Sequence, residues 1–198
     1  MKEFLSFDAV RTNALKLAAA IHASGFVPDI IYVSLRGGAY LGNIISEYFK
    51  VVRRGKRPVF YAAVVARSYS DINAHDKVRV DGWTYNPAYL RNGDRILLVD
   101  DIFDSGRTVN HLVEIFLQKG IPRNDIKVAV HDYKVRSDNL NLPIQPDFYC
   151  RRLAREEADG WIHYMSHELI GLTAGEIREA YLSSAPELEE VFRGMGML

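Results

Sequence analysis

Asp100-Asp101-Ile102-Phe103-Asp104-Ser105-Gly106-Arg107-Thr108 follows directly on the apolar run Ile96-Leu97-Leu98-Val99. Adjacent carboxylates repel one another, so Asp100 and Asp101 are expected to work with a polyol, a cation or both. Asp104 adds an acid that can take or give a proton. Ser105, Gly106, Arg107 and Thr108 open an amphipathic segment. Backbone N–H groups and two hydroxyls at a helix N-terminus make a phosphate cradle. A sugar diol, a reacting base and a phosphate can then lie side by side, which is the chemistry of phosphorylated ribose. An acidic strand end with an ordinary helix cap is the plainer alternative for Asp-Asp alone. The Ser-Gly-Arg-Thr turn in register favours the chemical reading.

Elements of regular period must position these residues. Val10, Ala14, Leu17, Ala18 and Ile21 recur at helical spacing after Ser6, a possible cap, and Gly25 suits the stop. Residues 29–34 read as a buried strand, followed by the tight turn Arg36-Gly37-Gly38 and a helix with Leu41, Ile44, Ile45 and Tyr48 on one face. Residues 59–66 predict a second strand, 67–83 a polar hairpin or loop, and 95–99 a third strand. The helix after the acids carries Val109, Leu112, Val113 and Phe116 on one face and stops at Gly120. Residues 126–133 and 148–150 predict two more strands. Thr173-Ala174-Gly175-Glu176 has the capping-box pattern, and Ser184 with Pro186 can start another helix. Alternating strands and helices predict an α/β fold with a parallel sheet flanked by helices, whose ligands lie at the carboxyl ends of the strands.

The 198 residues are 48% hydrophobic, enough for a single domain, 1–198, with one substantial core. Lys+Arg and Asp+Glu stand at 25 each, which points away from nucleic acid or an anionic membrane as a partner. No apolar run approaches the roughly 18 residues of a spanning helix, and the first residues lack a signal-peptide core. Cys150 is the only cysteine, so no internal disulfide is possible. A cytoplasmic location is expected. Cys150, His163 and His167 do not make a convincing zinc set, because a structural site usually needs four ligands. His131 is expected on a sheet face, and His22 and His111 in solvent.

Residues 99–108 resemble the phosphoribosyl-diphosphate (PRPP) motif of type I phosphoribosyltransferases. The resemblance implies that Asp100 and Asp101 bind the ribose hydroxyls directly or through magnesium (Mg2+). It also implies that Asp104 is the general acid/base near the purine N7, and that Ser105, Gly106, Arg107 and Thr108 hold the 5-phosphate. Leu-Leu-Val-Asp-Asp also resembles the acidic pocket of response-regulator receiver domains. There the pair closes the first strand, whereas here two strand–helix units precede it.

Three more segments match the same family in order. Leu35-Arg36-Gly37-Gly38 resembles the diphosphate loop of the hypoxanthine-guanine and xanthine-guanine branches. Its glycines admit an anion to the backbone, and Arg36 suits the departing diphosphate. The family often has a non-proline cis peptide here, so Leu35–Arg36 is expected to be cis. Ser68-Tyr69 resembles the flexible loop that closes over the reaction and excludes water. Lys134 stands where 6-oxopurine enzymes donate to the purine O6. Lysine only donates, so it selects an oxo over an amino group.

The segment 160–168 resembles the hood of the xanthine-guanine branch. Trp161 would cover the purine face and Ile162 would offer backbone groups. Met165-Ser166 stand where the family has Pro-Trp, and the family's acid falls on His167, with Glu168 one place later. The hood is expected over about 145–170, with a helical extension over about 173–198. The implied activity is transfer of 5-phosphoribosyl from PRPP to a 6-oxopurine in a homodimer or homotetramer. A PRPP-sensing regulatory protein on the same fold, and transfer to another nucleobase, are the alternatives.

Overall fold

In chain order the elements are β1 (Lys2–Leu5), α1 (Phe7–Ala23), β2 (Ile30–Leu35), α2 (Gly38–Val52), β3 (Phe60–Asp71), β4 (Ala74–Trp83), β5 (Ile96–Phe103) and α3 (Arg107–Gln118). They continue with β6 (Ile126–Lys134), β7 (Phe148–Leu153), α4 (Arg155–Ala158), β8 (Trp161–Tyr164), α5 (Ala174–Ile177) and α6 (Glu189–Gly194). The computed structural model describes residues 2–71 and 74–198, and their side chains except those of 67–71, 74–77, 155 and 156. The chain divides into two compact units, Asp8–Gly160 and Met1–Phe7 with Trp161–Leu198. No helix among the described residues is long and apolar enough to cross a membrane.

The larger unit carries a six-stranded sheet in the order β4-β3-β2-β5-β6-β7. Only β3 and β4 pair antiparallel, as the expected hairpin; the other pairs are parallel. Side chains on a strand alternate between faces, and both faces here are covered. Ile30, Tyr32, Ile96 and Leu98 pack with Val109, Leu112, Val113 and Phe116 of α3. Ile31, Val33, Leu97 and Val99 pack with Ala14, Leu17 and Ile21 of α1 and Leu41, Ile45 and Phe49 of α2. That double coverage is why Ile96-Leu97-Leu98-Val99 is continuously apolar rather than alternating. Phe116 is fully buried and packs at 5.0 Å from the Tyr32 ring. Phe116→Ala is expected to lower unfolding stability by about 3–5 kcal/mol, measured by denaturant titration.

Several boundaries differ from expectation. β5 does not end before the acids but continues through Asp100 and Asp101 to Phe103. Its pairing with β6 runs as far as Phe103 opposite Tyr133, and these ladder bonds outweigh the poor strand propensity of aspartate. β7 reaches Leu153 for the same reason, paired to Lys134. His131 lies on a sheet face, one covered by α1. It is fully buried, its Nδ1 lies 2.8 Å from Asp132 Oδ2, and its Nε2 lies 3.1 Å from Asn13 Nδ2 on α1. His22 is partly covered, its ring against Tyr48 and Phe49.

The smaller unit has a two-stranded parallel sheet, β1 with β8, in the register Lys2 to Trp161 through Leu5 to Tyr164. The expected capping box forms: Thr173 Oγ1 accepts from Glu176 N, and Glu176 Oε2 accepts from Thr173 N. Lys2 adds an ion pair to Glu176 at 2.8 Å. Together these hold the Glu176 carboxyl down at about 2, through the Lys2 bond first and the Thr173 backbone second. The segment read as a hood therefore contains a strand. Ile162 is buried and Trp161 is exposed. His163 is buried and its Nε2 lies 3.0 Å from the Tyr181 hydroxyl, which donates to Glu168 O. The Glu168 carboxylate accepts the Tyr164 N–H at 3.2 Å.

Candidate active site

The sheet of the larger unit brings two turns together at its carboxyl end. β2 and β5 are neighbours in parallel register, with Val33 opposite Val99. The turn after β2 therefore lies against the acids in the second half of β5. Two glycines make the approach possible. A Cβ on Gly37 would stand 2.1 Å from Asp101 Oδ2, and one on Gly38 would stand 2.6 Å from the Val99 carbonyl oxygen. The Leu35–Arg36 peptide is cis, as expected from the resemblance. Arg36 is exposed at this turn.

Asp100 and Asp101 adjoin one another, and Asp100 takes a hydrogen bond from Ser34 on β2. Burial, and then the neighbouring Asp101, push the Asp100 carboxyl well above the usual carboxylate range. The Asp101 N–H donates to Asp100 Oδ1 at 3.0 Å, and the Ile102 N–H donates to Asp101 Oδ1 at 2.8 Å. Each carboxylate thus accepts the backbone N–H of the residue that follows it.

α3 begins at Arg107, with Gly106 as its cap in the left-handed region at φ 72°. The ring of Phe103 would stand 2.3 Å from a Cβ at Gly106, so both conformation and space call for glycine. A glycine cap brings no side chain to accept from the first turn of α3. Asn110 fixes this turn: its Nδ2 donates to Gly106 O and Ile144 O, each at 2.9 Å.

The register of β5 on β6 does the rest. Phe103 lies opposite Tyr133, so the next residues, Asp104 and Lys134, emerge side by side. Lys134 is only 5% exposed. Its Nζ donates to Asp104 Oδ2 at 3.3 Å and to Gly160 O at 2.9 Å. Arg136 Nη1 lies 3.5 Å from the other Asp104 oxygen. Two cations thus bracket the carboxylate read as the proton carrier. Val135, Arg136, Ser137 and Asp159 line a cavity of about 320 Å³ beside it. A cavity of about 740 Å³ along the outer side of α3 meets the motif only at Arg107 and contains none of the three acids.

The structure thus gathers Leu35, Arg36, Gly37, Gly38, Asp100, Asp101, Asp104, Ser105, Gly106, Arg107, Thr108 and Lys134 at one end of one sheet. The Ser68 and Tyr69 side chains lie outside those described; their backbone forms part of β3 opposite Val78 and Lys77. Trp161 and Ile162 belong to the smaller unit. Arg136 and Asn139 were not singled out in the sequence. Their relevance comes from the β5–β6 register, and an Arg and an Asn in a polar loop give no signal of it. Burial pushes the Cys150 thiol up to about 12, so it is no nucleophile at neutral pH.

The phosphoribosyl transferase domain profile matches residues 2–163. Among curated proteins, the bifunctional protein PyrR of Picosynechococcus is 30% identical over 159 residues, covering 78% of this chain and 86% of that protein. The protein of the same name from Microcystis aeruginosa is 29% identical over 153 residues, covering 76% and 82%. Among solved structures, a purine phosphoribosyltransferase from Pyrococcus horikoshii superposes with a TM-score of 0.65 at 20% identity, over 86% of this chain and 97% of that one. The xanthine-guanine-hypoxanthine phosphoribosyltransferase of Helicobacter pylori gives 0.57 at 19% identity, over 83% and 92%. At such identity these two likenesses speak for the fold alone.

Proposed function

The chain belongs to the phosphoribosyl transferase domain family, and from that premise we propose that it transfers 5-phosphoribosyl from PRPP to a 6-oxopurine, as in purine salvage. The observation that carries this reading is Lys134, an almost buried ammonium held between Asp104 and the Gly160 carbonyl. A donor-only group beside a proton-accepting carboxylate matches the O6 and N7 edge of hypoxanthine, guanine or xanthine.

In the proposed reaction the bond from the ribose anomeric carbon to the diphosphate oxygen breaks and a bond to the purine nitrogen forms. Positive charge develops on the ribosyl group in between, as in glycoside chemistry. Arg36 and the amides of the Gly37-Gly38 turn hold the leaving diphosphate. Asp104 takes the purine proton, and the α3 N-terminus holds the 5-phosphate. Asp100 and Asp101 suit magnesium, since this cation is held through one or two carboxylates with substrate oxygens and water completing its shell. The ion, when bound, supplies positive charge for the ribose hydroxyls and the diphosphate.

The test is diphosphate release from PRPP and magnesium with a panel of hypoxanthine, guanine, xanthine, adenine and uracil. Turnover with a 6-oxopurine supports the reading; turnover with adenine or uracil alone overturns its choice of base. Lys134→Gln is expected to raise the KM for the 6-oxopurine by about 10- to 100-fold, the worth of a hydrogen bond to a charged group. Unchanged KM in steady-state assays would refute the contact. A second reading is favoured by the curated relatives, whose name states two functions. Under it the chain senses PRPP as a regulator, and PRPP binding with no turnover of any base would select it.

A further inference from the structure

We propose that Asn139 is the positioning residue that holds the proton-handling carboxylate and the base-selecting ammonium in one geometry; this rests on the transfer reading above. The paired ladder of β5 and β6 reaches only to Phe103 opposite Tyr133. Asp104 and Lys134 are the next residues on each strand: Lys134 is paired with Leu153 of β7 on its other side, but no β5–β6 pair joins it to Asp104.

Asn139 takes over there. It is fully buried. Its Nδ2 donates to the backbone carbonyl of Asp104 and, at 2.7 Å, to the backbone carbonyl of Lys134. Its Oδ1 accepts the Arg136 N–H at 3.1 Å. Both amide hydrogens and an acceptor position are thus spent on the three residues whose charged groups meet at the site. Asn139 is itself held. Its carbonyl accepts Gln145 Nε2 at 2.7 Å, and Gln145 Oε1 accepts the Tyr133 hydroxyl at 2.6 Å. One buried amide therefore sets the spacing between Asp104 and Lys134, and with it the fit of the purine edge. None of its bonds reaches Asp100, Asp101 or the Gly37-Gly38 turn.

The separation of roles gives the test. Asn139→Asp keeps the acceptor for Arg136 and replaces both donors by an oxygen facing two carbonyls. Its kcat is expected to fall about 100-fold, the scale of a displacement near 1 Å. The preference for hypoxanthine over adenine in kcat/KM is expected to drop at least about tenfold, since a polar contact of this kind carries the discrimination. PRPP affinity by calorimetry should stay within about threefold. Should Asn139→Asp not fold, Asn139→Ser removes the same donors with no added charge and carries the same readouts.

Equal losses of PRPP affinity and kcat, with the base preference unchanged, would mean a merely structural role and overturn the proposal. So would wild-type kinetics in a folded variant. A wild-type protein that uses another base overturns the 6-oxopurine reading alone, since the kcat and PRPP readouts are then taken with that base. Wild-type protein that binds PRPP and turns over no base overturns both.

Discussion

Asp104→Asn is expected to lower kcat by about 10²- to 10⁴-fold, the usual worth of a positioned acid or base, and to leave PRPP affinity within about threefold. Asparagine keeps the shape of the side chain and can still accept from Lys134, which reaches Asp104 Oδ2 at 3.3 Å. It cannot take the purine proton. In the proposed reaction the donor is held by other groups: the β2 turn, Asp100 and Asp101, and the start of α3. The loss should therefore appear in the chemical step, and single-turnover kinetics with calorimetric PRPP binding would check it. Small and equal losses in rate and binding would remove Asp104 from the proton-handling role.

Gly38→Ala is expected to weaken PRPP binding by about 100-fold or more, because shifting a positioning loop by an ångström is enough for that. The added Cβ would stand 2.6 Å from the Val99 carbonyl and 3.0 Å from Asp100 Cα. Both are backbone atoms of a central strand, so the turn must give way. Gly37→Ala is expected to be milder. There the obstacle is the Asp101 carboxylate at 2.1 Å, and a side chain can rotate. Calorimetry with PRPP and magnesium on both variants gives the ranking. Equal binding by Gly38→Ala and wild-type protein would show that the turn does not hold the donor.

The donor side of this site is legible in the sequence because its residues are contiguous. Asp100 to Thr108 and Leu35 to Gly38 each lie in one short stretch at the end of an apolar run, and the sheet order then places the stretches together. The acceptor side is not contiguous. Lys134 taken by itself is a strand-end lysine; the resemblance alone gives it a role in the sequence, and the pairing of Phe103 with Tyr133 is what sets it beside Asp104. Asn139 reads as a turn residue, since nothing local shows that its amide reaches another strand's end. β1 and β8 are hidden for a related reason. Lys2-Glu3-Phe4-Leu5 is short, half of it is charged, and its partner lies near the other end of the chain. Asp100 and Asp101 conceal the true length of β5, because aspartate argues against a strand that its ladder bonds nevertheless extend.

The placement of Lys134 on β6, one strand beyond the β2 and β5 ends proposed to hold PRPP, also bears on redesign. Substitutions confined to 134–139 and 159–160 would sample new acceptors against a fixed donor. Screening such a library for diphosphate release needs no knowledge of the new base in advance. The positions to leave alone are Gly38, where a Cβ would meet strand backbone, and Gly106, where a positive φ and the Phe103 ring call for glycine.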